Sequence, residues 1–512
     1  VTDGELILVA GAILGGGLIA SLLAGRFRVP ALVLVLGLGM VAGSDVTGWI
    51  YFDDYELART IGIIALSLIL FEGGLGSGFS EIRPVLRPAI SLAFFGTIVT
   101  AVGSGLAAAW LFDLSTVEGL LLGSILAATD AAAIFSVLRG STLRRRLART
   151  LEGESGVNDP VAILLVLGFI EWLQRPDYGL LDMAGLFAGE LTLGLIVGVA
   201  VGFLAVAGIR RAELVSAGLY PATSLAAAAV AYGAADMIGG SGFLAVYLAG
   251  LVLGSRPIPA RRTLATFHEG LAWVAQLTMF FTLGLLIFPG ELGGVALEGT
   301  TLALVLVFLA RPVATFLATL FERFTTAERL VLGWAGLRGA VPVVLATFPV
   351  IEGIPGSLEF FNIVFFAVVL TTILQGSTFQ AVAQRLGVTT SEPALPLPLA
   401  ESGTIRRLGA EVVEYPVAPG DAIVGLPIRE LGLPREALVT VVVRDNRAIP
   451  PRGSTVIAAG DRLHVLVSKE VADKVPALME RWRAGPMRLT TPPYDQVWVT
   501  VPVYTRRTTP DR

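Results

Sequence analysis

The chain has 512 residues, 54% of them hydrophobic and only 15% charged, and its mean hydropathy of +0.77 excludes a water-soluble protein of this length. Its formal charge of −4, with arginines dispersed among loops, offers no basic face for nucleic acid. The lack of cysteine excludes disulfides and thiolate metal centres, and two distant histidines, His268 and His464, give a histidine-based site nothing to build on.

Apolar stretches long enough, or nearly so, to cross a bilayer fall near 5–25, 30–44, 59–76, 88–111, 117–138 and 151–173, then 183–208, then 220–236, 241–255, 268–288, 299–321, 327–349 and 358–384. The first begins with the acidic VTDGE and runs too long for a signal h-region, so no cleaved leader is expected. The expected fold is an all-α polytopic membrane protein of about thirteen transmembrane helices. Six spans, one, then six more is the count of two inverted six-helix repeats, because the odd seventh span turns the second set over.

Arginine fixes the expected orientation. Alternate loops hold Arg26 and Arg28, Arg83 and Arg87, Arg139 with Arg144 to Arg146 and Arg149, Arg210 and Arg211, Arg256 with Arg261 and Arg262, and Arg323 and Arg329. The opposite face has Arg59 and Arg175 and is otherwise acidic. The arginine-rich face is expected to be cytoplasmic, which puts the N-terminus outside, the C-terminus inside, and the protein in the cell's inner (plasma) membrane.

Residues 1–386 are thus the expected transmembrane domain. Residues 387–404, with TTSEPALPLPLAESGT, read as a linker. Residues 405–485 alternate short β-type runs (EVVEYPV, ALVTVVVRD, RLHVLVS) with turns and close on a helical VADKVPALMERW, which predicts a small cytoplasmic α/β domain. The tail 486–512, with QVWVTVPVYT, receives no assignment.

Chemistry concentrates between Ala127 and Ala162. Asp130 and Asp159 lie about nine and ten residues inward from an arginine-rich turn, roughly 14 Å deep at helical rise and near the midplane. An ionisable group there costs at least about 3 kcal/mol, which marks both as functional candidates. Ser155 and Asp159 are four apart and read as one helix face, Glu154 and Asn158 as the next. Pro160 removes a hydrogen bond and frees the carbonyl of Gly156. Thr129 and Asp130 can face Asn158 and Asp159 across antiparallel helices, brought close by the alanines of AATDAAA. Together these supply hard oxygen ligands for a monovalent cation at Asp159 and Asp130. Glu72, in LFEGGL, reads equally as a member of the site or a snorkelling surface carboxylate. Arg338, in GWAGLRGAVPVVLA, lies among glycines that break the helix and needs a buried anion, for which Glu154 is the expected partner. Arg311 also lies at depth, with no partner assigned.

Taken together, LFEGGL, ATDAAAIFSVL, EGESGVNDPVA, GGSGFLAVYLAGLVLG, FFTLGLLIFP and GLRGAVPVVLA resemble the monovalent cation:proton antiporters of the sodium/proton-exchanger branch, over about residues 5–385. The resemblance implies a thirteen-helix inverted-repeat fold with discontinuous crossing helices, a homodimer, elevator-type alternating access and a part in pH homeostasis. It implies that Asp159 is the exchanging carboxylate, surrounded by Asp130, Thr129, Ser155 and Asn158, with Glu154 and Arg338 as a structural ion pair. Residues 405–485 resemble the TrkA-C half of potassium-conductance regulators. The nucleotide-binding half is not visible, so no bound cofactor is expected, and a nucleotide or other small ligand at the module's dimer interface is left open.

The expected activity is electroneutral exchange of one cation, potassium ahead of sodium, for one proton. The residue before Asp159 is the neutral Asn158, so a single charge changes occupant. Two rivals are weaker. A ligand-gated potassium channel lacks a TVGYG-like filter, and an intramembrane aspartyl protease lacks the GxGD context. No enzymatic activity is expected.

Overall fold

A computed structural model describes residues 3–27, 31–77, 79, 83–130, 133–134, 142–211, 218–256, 258–390, 410–444, 447–468 and 475–484. Most of the expected linker, the whole tail, and part of the arginine-rich turn with Arg139 lie outside the described residues.

The helices are α1 (Asp3–Phe27), α2 (Ala31–Ala42), α3 (Tyr55–Ser77), α4 (Arg83–Leu111), α5 (Thr116–Ala127), α6 (Arg145–Ser155), α7 (Asn158–Gln174), α8 (Leu180–Arg211), α9 (Leu219–Met237), α10 (Gly242–Ser255), α11 (Arg261–Leu285), α12 (Ala296–Ala318), α13 (Thr326–Trp334), α14 (Ala340–Ile351) and α15 (Ser357–Arg385). Among the described residues, six stretches are long and apolar enough to cross a membrane, and shorter apolar helices accompany them.

The helices pack as two bundles. Within the first, α3 packs on α10 and α11, α2 on α1 and α11, and α8 on α9 and α10. Within the second, α4 packs on α5, α5 on α7, α12 on α13 and α15, and α14 on α15, with α6 against the start of α4. The first bundle thus holds α1–α3 and α8–α11 and the second α4–α7 and α12–α15, so each draws on both halves of the chain. A finer sign of the repeat is that α4 and α12, which correspond between the halves, each contain a π-helical turn, at Leu92–Gly96 and Leu306–Ala310. The bundles meet along α3 and α14, where the absence of a side chain on Gly62 lets Val344 seat against the backbone.

Three of the expected spans are interrupted. α5 stops at Ala127, and Ala128 is extended at φ −58°, ψ 136°. α13 stops at Trp334, and residues 335–339 are non-helical before α14 begins. α6 and α7 are separated by Gly156 and Val157. Such breaks are tolerated at membrane depth only where other protein groups satisfy the freed backbone.

The described residues from Ala410 onward form a second compact unit. Its antiparallel sheet, in the order β1 (Ala410–Pro416), β4 (Arg462–Ser468), β2 (Ala437–Arg444), β3 (Arg447–Ile449), is followed in the chain by α16 (Val475–Ala484). Strand β3 was not anticipated because three residues carry no alternation to read. Alternate residues Leu463, Val465 and Val467 of β4 are buried, and Trp482 of α16 packs edge-on to Tyr415 at 5.0 Å and donates to the carbonyl of Leu431 at 2.8 Å. The two Gly-Asp turns work alike: Asp421 accepts from the N–H of Ala418 at 2.9 Å and Asp461 from that of Ala458 at 2.8 Å.

Asp461 also takes both arms of Arg444, each at 2.7 Å. Burial pushes its carboxyl upward, but the guanidinium and the Ala458 N–H outweigh burial and hold it below the ordinary carboxylate range. A depressed group contributes its stability above the unfolded value, near 3.9, and loses it as pH falls through the folded one. Asp461→Asn is therefore expected to lower the stability of this unit by about 2 kcal/mol at neutral pH, with the difference from wild type shrinking below pH ~4, as read by thermal unfolding of the unit across pH.

Candidate functional site

The site lies where two of the three broken spans, those interrupted after Ala127 and after Trp334, cross. The N–H of Asp130 donates to the carbonyl of Leu337 at 3.0 Å, and Asp130 Oδ2 accepts from the N–H of Ala340, the first residue of α14, at 3.0 Å. The N–H of Ala133 donates to Oδ1 at 3.3 Å. Asp130 thus occupies the positive end of a half-helix, where backbone donors and the helix dipole both favour a carboxylate. Gly339 is required beside it, because a Cβ there would overlap Asp130 Oδ2.

Arg338 performs the converse task. Its Nε donates to the carbonyl of Leu126, in the last turn of α5, at 2.8 Å, Nη1 donates to the carbonyl of Gly336, and Thr372 of α15 donates to the carbonyl of Arg338 itself. Of the expected Glu154–Arg338 pair, Glu154 makes its close contact with Arg311 instead, while its charge still acts on Arg338. Glu154 Oε1 lies 2.5 Å from Nη2 of Arg311, both side chains fully enclosed. Arg311 follows the π-helical turn of α12, which directs it towards the end of α6, whereas the guanidinium of Arg338 is drawn to carbonyls left free by the helix breaks. Arg338 stays nearby, and a Cβ on Gly336 would lie 2.7 Å from both guanidiniums. Sequence reading registered Arg311 as buried, but a partner on a different span leaves no spacing to read.

The remaining candidates gather around the break between α6 and α7. Ser155 ends α6, and Asn158 and Asp159 form the first turn of α7, so the shared helix face expected for Ser155 and Asp159 is instead two helix ends facing one gap. The Asn158 amide donates to Thr129 Oγ1, tying the residue before Asp159 to the residue before Asp130. Asp130 is 3% exposed, Asp159 2%, and Thr129, Ser155 and Asn158 0%. Within this enclosure Ser155 Oγ, Asn158 Oδ1 and Asp159 Oδ1 have no hydrogen-bond partner. Three unpaired oxygens, one a carboxylate, make a donor set fit for a small hard cation. The site is walled by Tyr247 of α10, whose ring occupies the space a side chain on Gly156 would need.

Glu72 is half-buried on α3, in the other bundle. Near it, Ser77 donates to Glu152 Oε1 at 2.9 Å, and Glu152 pairs with Arg149 at 2.5 Å. Arg149, read from sequence as a loop arginine, is 8% exposed. A small apolar cavity lined by Leu32, Leu36, Phe280, Val343 and Gly339 runs between the bundles to the residue that abuts Asp130. His268 is buried against Phe71 with Ser224 Oγ 2.7 Å from Nε2.

The pattern of the transmembrane sodium/hydrogen exchangers matches residues 12–385, and that of the TrkA-C domain residues 412–479. The chain is 38% identical over 467 residues to the K(+)/H(+) antiporter NhaP2 of Shewanella sp. (strain ANA-3), covering 90% of this chain and 81% of the relative. It is 36% identical over 469 residues to the K(+)/H(+) antiporter NhaP of Alkalimonas amylolytica, covering 90% and 80%. Among solved structures, the sodium proton antiporter MjNhaP1 of Methanocaldococcus jannaschii matches with a TM-score of 0.64 at 25% identity, over 77% of this chain and 100% of that one.

The Glu154–Arg311 contact yields a direct test. Truncating either residue leaves an uncompensated buried charge, a loss of about 3 to 5 kcal/mol, whereas neutralising both is expected to recover most of it. Thermal unfolding of Glu154→Gln, Arg311→Met and the double variant in detergent distinguishes coupled from independent losses.

Proposed function

The chain belongs to the sodium/hydrogen exchanger family, and we propose that it trades a monovalent cation, potassium ahead of sodium, for a proton at one buried carboxylate, Asp159. It is a multi-pass membrane antiporter of monovalent cations and protons. The observation that carries the finer reading is the contrast between the two aspartates. Asp130 is committed to backbone N–H groups of the crossing helices, while Asp159 Oδ1, like the oxygens of nearby Ser155 and Asn158, has no hydrogen-bond partner. Potassium is favoured because two relatives that align with 90% of this chain carry that ion in their names.

A buried carboxylate without a counter-charge is unstable, and either a proton or a cation neutralises it. The two exclude one another, and that competition is the coupling. Asn158 contributes an amide oxygen and no second charge, so the site has the same net charge with either occupant. Thr129 holds Asn158 in place, Asp130 adds a fixed negative charge, and Glu72 on the opposing bundle supplies a carboxylate on the approach. Alternating access follows from sliding of the second bundle against the first along the apolar α3–α14 seam, in a homodimer with the N-terminus outside and the TrkA-C module in the cytoplasm.

Asp159→Asn keeps the volume but holds no exchangeable proton. Exchange in proteoliposomes should fall to the level of empty vesicles while the protein stays folded, and retained exchange removes Asp159 from the mechanism. Asp130→Asn should raise the apparent KM for the cation at least tenfold, the equivalent of about 1.4 kcal/mol. Imposing a membrane potential should leave the exchange rate unchanged, and a steep dependence on potential would overturn the one-for-one stoichiometry.

A further inference from the structure

The chain does not simply leave the membrane domain after α15. Residues 386–390 double back and bond to residues 142–144, immediately before α6. The N–H of Arg144 donates to the carbonyl of Val388 at 3.1 Å, and that of Thr390 to the carbonyl of Thr142 at 2.7 Å. These bonds frame an antiparallel bridge between Leu143 and Thr389. Side chains reinforce it: Arg144 Nη2 donates to the carbonyl of Gly387 at 3.1 Å, and Gln380 of α15 donates to Thr142 Oγ1 at 3.2 Å. Leu143 and Val388 are 0% and 1% exposed and belong to one apolar core with Leu147, Leu151 and Phe379.

What this junction grips matters. Helix α6 starts at Arg145 and ends at Glu154 and Ser155, so a displacement at Leu143 is carried along a rigid element of roughly 16 Å to the cation site. Arg144 also pairs with Glu328 at 3.2 Å, and Glu328 closes the capping box that starts α13, the first half of the second broken span. Exposed at its own end, that pair adds little stability, but it places the start of both interrupted elements on one residue. Thr390 is the last described residue before the segment leading to the soluble unit.

We propose that residues 386–390 are a coupling strap, which delivers the state of the TrkA-C module to the cation site through Thr142–Arg144 and α6. The proposal rests on the antiporter reading above. The strap stays clamped throughout the transport cycle, so slack on its module side and release on its site side have the same effect.

The test uses the full chain in proteoliposomes, with proton flux driven by potassium and followed across pH. Inserting a flexible Gly/Ser segment of about ten residues after Ser391 slackens the connection, and Thr390→Pro removes the donor to Thr142 while favouring the extended backbone that Thr389 already has. Each alone should change the maximal rate by about fivefold or more, the lower range of an allosteric coupling, or shift the pH profile in one common direction. The double variant should match the singles. Effects that add, a response to the insertion without one to Thr390→Pro, or no response to either overturns the strap. In each of these cases exchange that still requires Asp159 keeps the antiporter reading, and its loss in Asp159→Asn alone continues to support it. A second variant guards against misfolding by Thr390→Pro. Because the chain has no cysteine, Leu143→Cys with Thr389→Cys can be oxidised to form the only disulfide. The oxidised protein should exchange with the profile of its reduced form, and a loss of exchange reversed by reductant would show that the strap must open.

Discussion

Everything at the centre of this molecule depends on an exchange of caps between two broken helices. α5 ends with a carbonyl that needs a donor and receives the Arg338 guanidinium, while α14 begins with an N–H that needs an acceptor and receives the Asp130 carboxylate. In water such ends are solvated at little cost, but in a bilayer interior each unsatisfied group costs several kcal/mol. Each broken span therefore supplies the charge that stabilises the other. The crossing is self-consistent only as a pair, which gives a physical reason why both halves of the chain are interrupted at corresponding places.

A second layer of charge surrounds the first. Arg311 and Glu154 close on one another, and their carboxylate and guanidinium add no net charge to the space next to Arg338 and Asp130. The π-helical turn before Arg311 links this to backbone geometry, since a wider turn changes the direction in which the following residue points. Oxygens of Ser155, Asn158 and Asp159 at the α6–α7 break have no hydrogen-bond partner, and neither do Nη2 of Arg338, Nε of Arg311 and Oε2 of Glu154 in this second layer.

Much of this was legible in the sequence, for identifiable reasons. Apolar length marks the helices, and bare aspartates within apolar stretches mark Asp130 and Asp159, which the fold buries. The glycines around Arg338 announced a broken helix because their density there serves no regular secondary structure. The partner of Arg338 was not legible. The sequence offered Glu154 as a nearby acid, yet the guanidinium bonds to main-chain carbonyls, which every residue possesses and which therefore leave no mark in composition. Arg149 escaped for a related reason: three residues from Glu152 it looks like a surface pair, and only the fold buries both. The strap at 386–390 was invisible because its bonds are again chiefly backbone to backbone.

The seam between α3 and α14 also bears on energetics. It joins aliphatic side chains to glycine, as where Val344 lies on Gly62, and sets the guanidinium of Arg59 over the ring of Phe348 at 5.7 Å. Dispersion forces between methyl groups vary little when one smooth wall is displaced along another. Among the described residues, polar ties between the bundles are then few and local, such as the hydrogen bond from Ser77 of α3 to Glu152 of α6 at 2.9 Å. An antiporter has no preferred direction of its own. It runs downhill in whichever sense the combined concentration differences of its two ions dictate, and reverses when they do.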